Sequence, residues 1–137
     1  MKQKRLLDTY AILAWLQGEP GAGEVESILE EGRSGQSELL VTLVNLGELY
    51  YTLRRKLSSI ETRNLLDQII EMPISVAPVD DSLVWEAAEI KAKNPLSYTD
   101  CFAVAAARRA GASIITGDPE FGRVDGFVDI EWLPPKA

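Results

Sequence analysis

Residues 97–118 read SYTDCFAVAAARRAGASIITGD, and this stretch decides the fold. Ser97-Tyr98-Thr99-Asp100 has the Ser-x-x-acid pattern of a helix start, the alanine-rich run beyond it favours a helix to Ala110, and Gly111 is the residue type that stops one. Ser113-Ile114-Ile115-Thr116 then reads as a strand, short and β-branched. A helix feeding a strand through a tight turn is half of a βαβ unit, so the rest of the chain has to supply further strands and crossover helices.

It does so on both sides. Upstream, Leu6-Leu7 is a short apolar strand core, residues 10–17 read as a helix stopped by Gly18 with Pro20 beyond, and a second helix is expected over 21–31. After a loop over 32–37, Leu39-Leu40-Val41-Thr42 is the second strand. Leu43, Leu46, Tyr50, Leu53 and Leu57 recur at steps of three and four and predict an amphipathic helix. Ser58 with Glu61 forms a capping box for the next helix, which reaches about Met72 before Pro73. A third strand is predicted over 74–79, a helix capped by Asp80 or Asp81 runs to Lys93, and Asn94-Pro95 breaks the chain ahead of Ser97. A last strand is expected over 128–133. The pattern predicts one α/β domain over residues 1–137, with a central parallel sheet of about five strands and helices on both faces.

Composition narrows the chemistry. The chain has one cysteine, Cys101, and no histidine, so an internal disulfide, the usual zinc ligand sets and Ser/His or Cys/His catalysis are all excluded. Carboxylates are abundant, at 21 Asp and Glu against 14 Lys and Arg, and the net charge of −7 argues globally against binding nucleic acid. The basic residues are nevertheless clustered, as Arg54-Arg55-Lys56, Lys91 with Lys93, and Arg108-Arg109. No apolar run approaches the roughly 20 residues that span a bilayer, and the basic start from Met1 meets Asp8 before a signal-peptide core can form, so no membrane association and a cytoplasmic location are expected.

Ligands of open parallel sheets bind outside the carboxyl ends of the strands. Asp8 directly follows the first strand, and Asp118 lies two residues past Thr116 at the end of the fourth. Glu48 falls in the second turn of a helix that leaves the same edge, and Asp100 falls in the first turn of a helix whose N-terminus must lie there too. Four carboxylates on one edge resist ionising together unless a cation neutralises them, and hard oxygen donors suit Mg²⁺ or Mn²⁺. Each acid also has a structural explanation. Asp8 can cap the helix after it, Asp118 can cap a turn with Pro119 in first position, Asp100 completes the Ser97 box, and Glu48 lies opposite the leucine stripe where a solvated glutamate is ordinary. Asn45 and Arg55 share the Glu48 face, the first placed to add a ligand or hold a water, the second to meet a phosphate further along.

Leu6-Leu7-Asp8-Thr9, Asn45-x-x-Glu48, Ser97-x-x-Asp100 with Ala103, Ala106 and Ala107, and Thr116-x-Asp118-x-x-Phe121 together resemble the PIN-domain family, over about residues 6–133. The resemblance implies a small Mg²⁺- or Mn²⁺-dependent endoribonuclease of the VapC type, the toxin of a type II toxin-antitoxin pair, with an RNA substrate, a small VapB-type antitoxin as partner and a homodimeric state. Carried over residue by residue, it implies metal binding by Asp8, Glu48, Asp100 and Asp118, with Thr116 close to the ions and Thr9 beside the first acid. Gly117 departs from the family, which often has Asn or a second Asp there; the departure removes one polar contact and leaves the fold intact. Arg54, Arg55 and Lys91 or Lys93 are candidates for holding the RNA backbone.

Two other classes are weighed against this reading. A phosphoryl-transfer α/β protein would want a second acid near Asp8, where Thr9-Tyr10 follows instead, or an acidic pair at the first strand and a lysine ending the fifth. A non-catalytic PIN-like module that binds RNA or protein would tolerate loss of site acids, whereas all four are present.

Overall fold

The computed structural model describes residues 2–135; Met1, Lys136 and Ala137, which belong to the domain expected over 1–137, lie outside the described residues. Five strands, β1 (Gln3–Leu7), β2 (Ser37–Thr42), β3 (Ile74–Ala77), β4 (Ser113–Thr116) and β5 (Ile130–Trp132), form one sheet in the order β3-β2-β1-β4-β5. Every pairing is parallel, with Leu6 in register with Leu40 on one side and Ile114 on the other. The connections are helical: α1 (Thr9–Leu16) and α2 (Ala22–Ser34) between β1 and β2, α3 (Leu43–Arg54) and α4 (Ser59–Ile70) between β2 and β3, α5 (Asp81–Lys93) and α6 (Tyr98–Ala110) between β3 and β4. A 3₁₀ helix, Pro119–Val124, leads from β4 toward β5.

Because strand side chains alternate, neighbouring residues feed different cores. Leu6 and Ile114 join the cluster under α5 and α6, while Leu7 and Ile115 join the cluster under α1 to α4. All four are fully buried, at roughly 1.5–3 kcal/mol each for removal from water. Burial on both faces is why these strands read as unbroken apolar pairs rather than as alternating residues.

The caps follow the sequence closely. Ser58 and Glu61 make the full reciprocal box at the start of α4, and Asp80, not Asp81, caps α5 by accepting from the Leu83 amide at 2.8 Å. Boundaries shift elsewhere: β3 ends at Ala77 ahead of Pro78, and β5 is only three residues long. The leucine stripe of α3 is also rotated. Leu43 is 52% exposed, and the buried residues are Asn45, Leu46, Leu49 and Leu53.

The strand order places the site. The chain steps outward from β1 to β2 to β3, then crosses back to lay β4 on the other side of β1. The carboxyl ends of β1 and β4 therefore flank the switch in strand order, where such sheets open a crevice.

Candidate metal centre

Asp8 is the first residue past β1 and is almost wholly buried. One carboxylate oxygen accepts from the Ala11 amide at 2.8 Å and caps α1, so the capping and site readings of this residue coexist. Burial pushes its carboxyl up to about 8; hydrogen bonds from the Thr116 side chain and the Ala11 amide oppose the rise, and the charges of Asp100 and Asp118 add to it.

Thr116, the last residue of β4, is fully buried beside Asp8, and its hydroxyl oxygen accepts from the Asp118 amide at 3.0 Å. Asp118 caps the 3₁₀ helix by accepting from the Glu120 amide at 3.0 Å, with Pro119 in first position. Glu120, two residues further along that turn, joins the same group: carboxylate oxygens of Asp100, Asp118 and Glu120 lie within 4.8 Å of one another.

Asp100 stands in the first turn of α6, its amide bonded to the Ser97 hydroxyl at 3.1 Å. Unlike Glu61 in α4, it makes no reciprocal bond to the cap amide among the described residues. Burial, followed by the charges of Asp118, Glu48 and Glu120, raises its carboxyl to about 6, against the hydrogen bond with Ser97. Glu48, on α3, has the Tyr51 hydroxyl 3.4 Å from one carboxylate oxygen.

Asp8, Glu48, Asp100, Asp118 and Glu120 line one open cleft of about 320 Å³, together with Thr9, Tyr10, Leu13, Thr52 and Ser97. A larger hollow of about 640 Å³ lies at the far end of α6, but its arginines are already engaged: Arg108 with the Phe127 carbonyl, Arg109 with Asp80 and Glu86. Chemistry and size disagree, and the acids mark the better site because their mutual repulsion, with the burial of Asp8 and Asp100, leaves them short of positive charge. All-oxygen carboxylate donors at this spacing suit a hard divalent cation such as Mg²⁺ or Mn²⁺.

This geometry on this sheet agrees with the family profile for the PIN domain, which matches residues 5–127. The chain belongs to the PIN domain family. Solved structures that share the fold include VapBC2 from Rickettsia felis bound to a DNA fragment from its promoter, at 14% identity and a TM-score of 0.76 over 96% of this chain and 100% of that one. DNA-bound VapBC from Salmonella typhimurium gives 20% identity and a TM-score of 0.72, covering 94% and 97% of the two chains. VapC20 from Mycobacterium tuberculosis, described as a sarcin-ricin loop cleaving toxin, gives 18% and 0.71, covering 95% and 99%. No curated protein matches the sequence.

This PIN domain holds its acids on a buried polar lattice that the sequence only partly displayed. Asn45 is 1% exposed. Its side-chain amide nitrogen donates to Thr9 Oγ1 at 3.0 Å, its side-chain oxygen accepts from Thr42 Oγ1 at 2.5 Å, and its backbone N–H donates to Thr42 Oγ1 at 2.9 Å. With the Thr9 hydroxyl donating to its carbonyl at 3.3 Å, Asn45 ties the first turns of α1 and α3 together instead of facing the cleft as a ligand.

The basic clusters divide in the same way. Lys91 donates to the Leu96 carbonyl at 2.5 Å, Lys93 pairs with Glu89 at 3.2 Å, and Arg54 donates to the Leu57 carbonyl at 2.9 Å. Glu120, Tyr10 and Thr52 line the PIN-domain cleft without having been singled out as site residues in the sequence. For Glu120 the available signal was its place two residues after Asp118, within a Pro-initiated turn.

Proposed function

We propose that this PIN domain is a Mg²⁺- or Mn²⁺-dependent endoribonuclease that serves as the toxin of a type II toxin-antitoxin pair. The observation that carries the reading is the convergence of Asp8, Glu48, Asp100 and Asp118, from four separate elements, on one cleft at the carboxyl ends of β1 and β4. Asp8, Asp100 and Asp118 hold the metal, joined by Glu120, whose carboxylate completes the closest oxygen cluster. Glu48 binds through water or orients the attacking water. When bound, a divalent ion lowers the pKa of water and offsets the charge that builds on the phosphate and the leaving oxygen.

The residues around the acids set the rest. Thr116 holds Asp8 and the Asp118 backbone in one hydrogen-bonded unit, so the two strand ends keep a fixed separation. With no histidine in the chain, protons leave through carboxylates or solvent. Asp8 and Asp100, whose carboxyls sit at about 8 and about 6, must shed protons before they hold a cation, so metal affinity climbs across that range.

The partner is a small VapB-type antitoxin that covers the cleft, and the protein is a cytoplasmic homodimer. The reading of the partner is supported by fold similarity to chains solved in VapBC complexes; no described helix is long and apolar enough to cross a membrane.

The deciding experiment incubates RNA with wild type, Asp8→Asn and Asp100→Asn, in Mg²⁺, Mn²⁺ or EDTA, with folding checked by circular dichroism. Metal-dependent cleavage by wild type alone is expected. Equal cleavage by all three proteins would remove the nuclease assignment. A monomer in sedimentation at micromolar concentration would overturn the dimer.

A further inference from the structure

Glu48, Tyr51, Thr52 and Arg55 stand at i, i+3, i+4 and i+7 and form one stripe along α3 and its C-cap. The stripe begins inside the acid cleft, which Glu48 and Thr52 line, and runs outward along the helix. Tyr51 is 51% exposed, with its hydroxyl 3.4 Å from Glu48, which lines the cleft. The guanidinium carbon of Arg55 lies 5.8 Å from the centre of that ring. Among the described residues no carboxylate comes within ion-pair distance of Arg55, whereas Arg5, Arg33 and Arg109 are all paired to acids. In a protein of net charge −7, a cation with no acid partner beside an exposed aromatic ring, next to the acid cleft, is a place where a phosphate can be met.

Resting on the nuclease reading, we propose that Tyr51 and Arg55 form a ledge for single-stranded RNA. An unpaired base stacks on the Tyr51 ring, Arg55 neutralises the adjoining phosphate, and the strand is thereby led into the acid cleft. A flat π face and a cation side by side match the two repeating chemistries of a single strand, base and phosphate. Arg55 lies roughly 10 Å along the helix from Glu48, so it meets a phosphate next to the scissile one and not the scissile phosphate itself. Duplex RNA keeps its bases stacked on one another and cannot use the ring.

The test measures binding, not cleavage, using Asp100→Asn protein and a short unstructured fluorescent RNA followed by anisotropy. Tyr51→Leu is expected to weaken binding about ten-fold, while Tyr51→Phe, which keeps the ring, leaves it unchanged. Arg55→Gln is expected to lower the slope of log affinity against log salt by about 0.7. The same RNA annealed to its complement should bind more weakly and be indifferent to Tyr51→Leu. Unchanged single-strand affinity in Tyr51→Leu, while wild type still cleaves RNA, overturns the ledge and spares the nuclease reading. No RNA binding by any protein, together with no cleavage by wild type, overturns both. Loss of affinity for a partner protein with RNA affinity intact assigns the ledge to that partner and overturns the proposal.

Discussion

The Thr116 hydroxyl accepts a hydrogen bond from the Asp118 amide at 3.0 Å while bonding to the carboxylate of Asp8. One fully buried side chain thus couples the ends of β1 and β4, the two strands that flank the switch in sheet order. Thr116→Val keeps the volume and removes both bonds. The expected result is a stability loss of about 1 kcal/mol and a ten- to hundred-fold fall in metal affinity or cleavage. Isothermal titration with Mn²⁺ beside denaturant unfolding measures both; wild-type affinity in the valine variant would show that the acids need no such coupling.

Asp8 also makes stability depend on pH. Its folded carboxyl lies at about 8 against an ordinary 3.8, so between those values the unfolded chain gives up a proton that the folded one keeps. The part of metal-free stability that these two carboxyls set is therefore greatest at low pH and falls as pH rises from about 4 to about 8, with Asp100 contributing the part up to about 6. Asp8→Asn keeps an acceptor for the Ala11 amide and removes the charge. In EDTA, it should melt above wild type at pH 8, with the gap closing toward pH 4. Mn²⁺ should raise the melting temperature of wild type and do little for the variant. A metal-free wild-type melting temperature that stays flat across this range would contradict the burial of an uncompensated carboxyl.

The buried Asn45 carries a stability prediction of its own. Asn45→Ala leaves the Thr9 and Thr42 hydroxyls without their side-chain partner and should cost about 1–3 kcal/mol, seen as a lower urea midpoint at unchanged m. Because the lattice joins the turns that carry Asp8 and Glu48, cleavage should fall further than stability explains. A drop in stability with full activity would confine Asn45 to the fold.

How much of this was legible depended on which force placed each residue. Leu6-Leu7 and Ile114-Ile115 were readable because burial on both sheet faces leaves an apolar run, and the acids beside them were readable because strand ends converge by topology. Glu120 was not, since a 3₁₀ turn has no apolar period to announce it. The stripe of α3 was misplaced because an apolar count omits Asn45, whose burial rests on hydrogen bonds, and includes Leu43, which is half exposed. β5 was expected over 128–133 but is Ile130–Trp132; Val128 closes the 3₁₀ turn by donating to the Val124 carbonyl, and the Leu133 amide reaches the Thr116 carbonyl at 2.8 Å just past the strand.

Gly117 was expected to be a harmless departure, and the structure gives it a neighbour. A Cβ at this position would stand 2.3 Å from Tyr10 Cε1 and 2.7 Å from its Cζ, so the tyrosine ring fills the space a side chain would need. Gly117 is not among the glycines with positive φ, which leaves steric exclusion rather than backbone strain as the reason for glycine here. Gly117→Ala should therefore cost about 1–3 kcal/mol by displacing the ring of Tyr10, a residue that lines the acid cleft. In a Tyr10→Ala background the same substitution should be cheaper by about 1 kcal/mol or more, because the obstacle is gone. A double-mutant cycle from urea unfolding reads that coupling directly. Equal cost in both backgrounds would mean that Tyr10 does not exclude a side chain at 117, and that the glycine is retained for some contact the ring does not make.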